Sequence, residues 1–161
     1  MDNGEQTTEN LPRAGLLRRL AALLYDAFLV AAILWLVGSI VQIFFGPESN
    51  QLVGDRVETN PVQGAILFTL MIGSFVLFNC YFWMRSGQTL GMLAWRLRVE
   101  DQQGKNVSLA QALLRLALAV PSLLVFGLGY LWLYLDKQGD AAHDRLSGTR
   151  VVVVPRSHRP F

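Results

Sequence analysis

The most constraining feature of this sequence is an apolar run over residues 20–45, LAALLYDAFLVAAILWLVGSIVQIFF, whose one charged residue is Asp26. The run is long enough for a spanning helix, which needs about 20 apolar residues. At ~1.5 Å per residue, Asp26 lies roughly 9 Å along the helix from the first apolar residue. A charge at that depth costs on the order of 2.5 kcal/mol or more, so a chain that keeps one usually uses it or pairs it in assembly. The run therefore predicts a spanning helix and makes Asp26 the first candidate functional residue.

Two further apolar runs, residues 64–84 and 109–135, indicate that the chain enters the membrane again. The run 64–84 carries no charge, whereas the run 109–135 carries Arg115 and contains Pro121, which bends or breaks helices. The total length of 161 residues fits a single domain. We predict an all-α membrane protein with two spanning helices and a third membrane helix that bends at Pro121.

The polar connections contain two short strand candidates. Residues 95–99 (WRLRV) alternate apolar and basic side chains, and residues 151–154 are four valines that Pro155 ends. Both patterns are typical of strands. Bare strand edges leave backbone groups unsatisfied, so we expect the two strands to pair as a small β element if they share one water layer. Residues 105–108 fit either a short return strand or the cap of the next helix.

The distribution of Arg and Lys predicts the orientation, because basic flanks lie on the cytoplasmic side of a membrane. Three basic residues precede the first run, one lies in the connection 46–63, four lie in the connection 85–108, and five follow residue 135. The amino terminus and the second connection are therefore expected in the cytoplasm. A single crossing by residues 109–135 leaves seven basic residues inside and six outside, whereas a segment that enters and returns leaves twelve inside and one outside. We favour the second arrangement, with a cytoplasmic carboxyl terminus and a cytoplasmic β element.

Three segments of the chain, taken in order, form a recognisable pattern. They are LLRRLAALLYD at residues 16–26, GQTLGMLAWRLRV at residues 87–99 and HDRLSGT at residues 143–149. Together they resemble the RDD family, small bacterial integral membrane proteins that are named for one arginine and two aspartates. The resemblance identifies Arg19 as the family arginine, with Arg18 as a competitor for that position. It identifies Asp26 as the first family aspartate.

The second family aspartate is assigned by the closing segment to Asp144, with Asp136 as an alternative. The resemblance covers residues 13–154, which leaves residues 1–12 as a polar tail that we expect to be disordered and residues 155–161 as a carboxyl-terminal tail. It implies a multi-pass protein of the bacterial inner membrane whose function is unsettled. Transport has been proposed for the family, including cation/proton exchange in some members.

Asp26 has three competing roles on the residues alone. It is a proton or cation site, an assembly contact that pairs with Arg115 or accepts from Asn79, or a lipid-facing group near the membrane surface. Arg19 lies seven residues before Asp26, so the two share a helix face within roughly 20°. We expect Arg18 and Arg19 to extend toward lipid phosphates and to anchor the helix.

Asp144 also has two open roles. If the tail is cytoplasmic, the side chain of Asp144 lies close to Arg19 at the ends of the helices, and the two residues make contact. The alternative is that Asp144 caps a short helix over residues 145–148.

Several function classes find no support in the sequence. Cys80 stands alone, so neither a disulfide nor a cysteine metal site is possible within the chain, and His143 beside Asp144 reads as a polar loop. The net charge of +2 comes without a basic stripe that would suggest nucleic acid. We therefore expect no metal, no cofactor and no enzymatic activity.

Two functions remain. The first is a small transporter or transporter subunit, coupled to cations or protons through Asp26. The second is a non-catalytic membrane protein that binds a partner or lipid, with the intramembrane charges serving assembly. A chain with so few spans would need more than one copy to build a transport path, so self-association or another membrane protein is the expected partner besides the bilayer.

Overall fold

The computed structural model describes residues 11–46, 50–124, 127–136 and 138–156. Its two longest helices are the two predicted spans, α1 (Leu16–Phe45) and α2 (Pro61–Arg85). In the most apolar 18-residue window of each helix, the mean hydropathy is 2.4 and 2.0, and only 6% and 11% of the residues are buried. Helices that are apolar all round and unburied need a lipid environment, because water would oppose so much exposed apolar surface.

The first connection contains a hairpin that the sequence analysis does not predict. Strands β1 (Asn50–Val53) and β2 (Arg56–Thr59) pair antiparallel, with Val53 opposite Arg56. The two-residue turn between them contains Gly54, whose φ of +63° suits a residue without a Cβ. The segment VGDRV carries this turn signal, but strands of four residues leave a weak pattern on either side of it.

The predicted pairing of the two later strand candidates is confirmed. Strands β3 (Leu97–Asp101) and β4 (Thr149–Val153) are antiparallel, with Leu97 opposite Val153 and Val99 opposite Val151. β3 begins two residues after its predicted start, and β4 begins two residues before its predicted start.

The start of β3 is displaced because the chain first makes a short helix, α3 (Leu90–Ala94), and then a left-handed turn at Arg96. Arg96 has a φ of +56°, a conformation that costs a residue with a Cβ about 1 kcal/mol. Its carbonyl accepts a hydrogen bond from the Val154 N–H at 2.9 Å, so the turn leads directly into the sheet.

The chain before α1 extends the same sheet. Arg13 forms an antiparallel bridge with Val152, and the Ala14 N–H donates to the Val151 carbonyl at 3.0 Å. The Pro12 carbonyl accepts from the Val153 N–H at 2.8 Å, so the end of the predicted polar tail is held by backbone pairing. Residues 1–10 of that tail lie outside the described residues. The amino-terminal flank, the second connection and the carboxyl-terminal segment therefore meet in one small sheet.

The third apolar run is broken, as predicted, but the break follows Leu124. Helix α4 (Leu109–Leu124) continues through Pro121, and α5 (Leu128–Leu131) begins after a left-handed Gly127, leading into a 3₁₀ turn over Trp132–Tyr134. A Cβ on Gly129 would lie 2.3 Å from the Ser122 hydroxyl, so the chain turns back against α4. The last helix, α6 (Ala142–Leu146), packs against both α4 and α5.

The segment before α4 is a helix cap. The Gln111 N–H donates to the Ser108 hydroxyl at 3.3 Å, and the Ser108 N–H donates to the Gln111 side-chain oxygen at 2.9 Å. This reciprocal pair is a capping box, which satisfies backbone groups at the helix start. Of the two readings of residues 105–108, the cap is confirmed.

The chain forms two compact units. One contains Asp26 and the residues before it together with Asn79 and the residues after it, and the other is Ala27–Phe78. All candidate site residues lie in the first unit.

Candidate functional site

Asp144 is the centre of a buried ion-pair cluster in the first unit. It is the third residue of α6, and its side chain is 0% exposed. One carboxylate oxygen accepts from Arg19 on α1, and the other accepts from Arg115 on α4. The Ala141 N–H donates to the same carboxylate at 3.2 Å. The predicted contact between Asp144 and Arg19 is confirmed, and Asp144 also reaches back to the start of its own helix.

Both arginines of this cluster are fixed by further contacts. Arg19, which is 6% exposed, donates through Nε to the Ala14 carbonyl at 2.9 Å. Arg115, which is 4% exposed, donates to the Thr149 hydroxyl at 2.9 Å. The guanidinium of Arg115 also lies over the Trp83 ring, 5.1 Å from its centroid, where a cation is attracted to the aromatic face.

Two predictions about the charged residues are wrong. Arg115 pairs with Asp144 and not with Asp26, whose carboxylate accepts hydrogen bonds from Thr89 and Gly91. Arg19 does not extend toward lipid phosphates, because the buried carboxylate of Asp144 is the partner that compensates its charge. Arg18, one residue earlier, is exposed, so Arg19 is the arginine that belongs to the site.

The electrostatics of Asp144 follow from its two arginines. Burial by itself raises the pKa of the Asp144 carboxyl, but the charges of Arg115, Arg19 and His143 outweigh it and hold that pKa far below its usual range. Burial lowers the pKa of the neighbouring His143 to about 4, so its imidazole is neutral at pH 7. Asp144 is thus a permanent negative charge between two permanent positive charges, and the three carry a net charge of +1.

His143 completes the packing around Asp144. Its Nε2 lies 3.4 Å from the carboxylate of Asp144, and its ring packs on Tyr130 with centroids 4.6 Å apart. Within the described ranges, no three His, Cys, Asp or Glu side chains are grouped so that they could hold a metal ion.

Asp136, the alternative to Asp144, lies outside the ion-pair cluster, in the loop before α6. Its carboxylate accepts from the N–H groups of Gln138 and Asp140 at 3.0 and 3.1 Å and pairs with Arg145, so it organises the loop before α6. Only Asp144 of the two contacts Arg19. Of the two candidates, Asp144 is therefore the one that belongs to the buried ion-pair cluster.

Asp26 makes a separate site with the start of α3. The Thr89 hydroxyl donates to one carboxylate oxygen at 2.5 Å, and the Gly91 N–H donates to the other at 2.8 Å. Thr89 is also the N-cap of α3, because its side chain accepts from the Met92 N–H at 3.3 Å. Each carboxylate oxygen thus accepts one hydrogen bond, but neither donor carries a charge.

Gly91 allows α3 to approach α1 this closely. A Cβ at Gly91 would lie 2.3 Å from the Ala22 carbonyl oxygen and 2.8 Å from the Asp26 carboxyl carbon, so a side chain there would push the two elements apart. Gly87, at the turn before α3, has a φ of +74°, a conformation that a residue without a Cβ adopts easily. The segment GQTLGMLAWRLRV, which contributes to the family resemblance, contains Gly87, Thr89 and Gly91. The sequence alone does not connect these residues with Asp26. Thr89 is a preferred N-cap residue and Gly91 allows a close backbone approach, but neither signal identifies Asp26 as the partner.

The comparisons with known proteins agree with the geometry. The model of the RDD family matches residues 13–148 of the chain. No curated protein and no solved structure gave a significant match. The matched range contains both long helices, α1 and α2. It also contains Arg19, Asp26 and Asp144. The chain belongs to the RDD family and is a membrane protein with apolar spanning helices.

Proposed function

We propose that the protein is a small, non-enzymatic transporter or transporter subunit of the bacterial inner membrane, in which Asp26 binds the proton or cation. One observation carries the proposal. Asp26 is a carboxylate in a spanning helix, and both of its hydrogen-bond donors, the Thr89 hydroxyl and the Gly91 N–H, are uncharged. No arginine, lysine or histidine pairs with it in the described part of the chain.

The contrast with Asp144 gives this observation its weight. Asp144 has two arginine partners, so its negative charge is balanced and it needs no further ion. An ionised Asp26 beside lipid lacks that balance, and an unbalanced charge in the membrane costs several kcal/mol. A proton or a bound cation removes the cost. Asp26 is therefore the carboxylate that can gain and lose a positive ion.

The sheet supports the orientation that we propose. Strands that pair occupy one layer on one side of the membrane, so the pairing of β3 with β4 and of Arg13 with Val152 favours a common side for three segments. These segments are the amino-terminal flank, the second connection and the tail. Since they also contain most of the basic residues, we propose that this side is the cytoplasm.

A second candidate is a non-catalytic membrane protein that binds a partner or lipid. The observation that favours it is the Arg19–Asp144–Arg115 cluster, which joins α1, α4 and α6 through buried ion pairs. Such a cluster fixes an assembly and does not require movement of an ion. Asp26 would then serve only to hold α3 on α1.

Replacing Asp26 by Asn separates the two candidates. The amide keeps the shape and one acceptor oxygen for Thr89 or Gly91, but it cannot release a proton or bind a cation by charge. The full chain is reconstituted in liposomes that contain a pH-sensitive dye, and proton flux is measured against a panel of monovalent cations and imposed pH gradients. We expect flux in the natural chain and none with Asp26→Asn, with the thermal midpoint in detergent nearly unchanged.

Asp55→Asn is the matched control, because it makes the same substitution at an exposed turn of the first-connection hairpin. Asp55→Asn should transport like the natural chain. Normal flux with Asp26→Asn, or no flux in the natural chain with any cation, would contradict the transport proposal. Loss of thermal stability with Asp26→Asn, without flux in the natural chain, would support the second candidate.

A further inference from the structure

Helix α3 and the residue after it carry an apolar surface that the protein leaves uncovered. Leu90, Leu93 and Trp95 are 41%, 39% and 38% exposed. The close contact of Gly91 with the Ala22 carbonyl places α3 beside the apolar part of α1. These exposed side chains therefore adjoin the lipid-facing surface of a spanning helix.

An aromatic pair lies at the end of this surface. The rings of Tyr25 and Trp95 meet edge to face, with centroids 6.4 Å apart. Both side chains have an apolar body and a polar tip, the combination that is enriched where hydrocarbon meets headgroups. We infer that Trp95 lies at the membrane interface.

Arg96 follows Trp95 in a conformation that a glycine would adopt more easily. Among the described residues it is the one residue other than glycine with a positive φ. Its backbone is satisfied, since its N–H donates to the Leu93 carbonyl at 3.1 Å and its carbonyl accepts from Val154. The exposed guanidinium has no hydrogen bond or ion pair in the described part of the chain. These backbone contacts hold the left-handed turn, so the exposed guanidinium is available to a partner outside the described part of the chain.

We propose that Trp95 and Arg96, with Tyr25, form a binding site for the headgroup of an anionic phospholipid. The guanidinium of Arg96 contacts the lipid phosphate, which it fits with two parallel hydrogen bonds. The rings of Tyr25 and Trp95 and the side chains of Leu90 and Leu93 cover the first part of the acyl chains. These apolar neighbours favour a lipid over a free phosphate.

Arg18 adds positive charge to the same face. It lies seven residues before Tyr25 on α1, so the two positions point in directions within roughly 20° of each other. Arg18 is exposed, in contrast to the buried Arg19. Arg18 lies roughly 10 Å from Tyr25 along the axis of α1, so it attracts an anionic headgroup at longer range and does not contact it directly.

Native mass spectrometry of the full chain in detergent tests the site, with phosphatidylglycerol or phosphatidylcholine as the added lipid. We expect retained phosphatidylglycerol to fall about fivefold in Arg96→Gln and Arg96→Gly, the factor that one basic residue contributes near an anionic surface. Arg96→Lys should lose less binding than Arg96→Gln, because it keeps the positive charge but not the two parallel hydrogen bonds. The uncharged headgroup of phosphatidylcholine should show no difference between the variants. Arg96→Gly keeps the test valid if Arg96→Gln folds poorly, because glycine suits the left-handed turn.

Arg56→Gln is the charge-matched control, since Arg56 is exposed in β2 of the other unit. It should bind phosphatidylglycerol like the natural chain. Equal binding of phosphatidylglycerol by the natural chain, Arg96→Gln and Arg96→Gly would overturn the proposal. Displacement of the lipid by inorganic phosphate at equal concentration would overturn the assignment to a lipid.

Discussion

At the scale of single residues, Asp26 and Asp144 have opposite surroundings. Asp144 is enclosed by Arg19 and Arg115, whereas Asp26 meets only a hydroxyl and a backbone N–H. A buried ion pair contributes modest net stability, but removal of one partner leaves an uncompensated charge. Asp144 is therefore a residue whose loss harms the fold, and Asp26 is a residue whose loss harms the proposed activity.

Replacing Asp144 by Asn should destabilise the protein by about 3–5 kcal/mol, because two buried arginines lose their carboxylate. The thermal midpoint in detergent measures the effect, and Asp55→Asn is the control for the same substitution at an exposed site. The double variant Asp144→Asn, Arg115→Gln should lose less than the sum of the single losses, since it removes one of the unpaired charges. Additive losses would show that the cluster does not couple these residues.

His143 should make stability depend on pH. Its pKa is lowered to about 4 by burial, from an ordinary value of 6.5, so the unfolded chain binds a proton in this window that the folded chain does not. Stability should therefore decrease as the pH falls from 6.5 toward 4, by up to about 3 kcal/mol for this residue. His143→Gln should reduce the slope of the thermal midpoint against pH over that window. An unchanged slope would contradict the shifted pKa.

At the scale of elements, the sequence predicts the helices and strands whose apolar pattern is long or regular enough to be recognised. Both long helices and the β3–β4 pairing follow from apolar runs, charge and turn residues. Helix α3 is absent from the predictions because five residues carry too little pattern, and its helical state depends on Thr89 and on the distant Asp26. The partner of Arg115 is mispredicted for a related reason. Arg115 and Asp26 occupy similar positions in their apolar runs, but this does not determine which carboxylate Arg115 contacts. Its partner, Asp144, comes from α6, a helix that the sequence pattern does not place beside α4.

Gly91→Ala should displace α3 from α1, since the added methyl group would lie 2.3 Å from the Ala22 carbonyl oxygen. We expect a lower thermal midpoint and loss of the proposed transport. Gly73→Ala in α2 is the control, because nothing within 4 Å opposes a Cβ there and alanine favours helix. Equal stability of the two variants would contradict the close packing of α3 on α1.

At the scale of the whole molecule, the sheet brings together distant parts of the sequence. The chain before α1, the second connection and the segment after α6 all contribute backbone pairs. The third apolar run turns back between α4 and α5 and does not form one straight helix. Together with the positive-inside count, the strand pairing supports the proposed arrangement, in which the amino terminus, the second connection and the tail lie in the cytoplasm.

Reporter fusions test this arrangement directly. Fusions after Ser49, Gly104 and Phe161 should report outside, inside and inside, because the first position follows α1 and the other two flank the paired strands in sequence. A reporter after Phe161 that reads outside, with one after Gly104 that reads inside, would contradict the β3–β4 pairing in the membrane.

The central claim is that Asp26 exchanges a positive ion while Asp144 stays charged. A hydrophobic carbodiimide, which reacts with protonated carboxyl groups within membranes, measures this difference in the reconstituted full chain when peptide mass spectrometry locates the adducts. We predict an adduct on Asp26 at neutral pH, slower formation of that adduct in the presence of a transported cation, and no adduct on Asp144. An adduct on Asp144, or an unreactive Asp26, would contradict the claim.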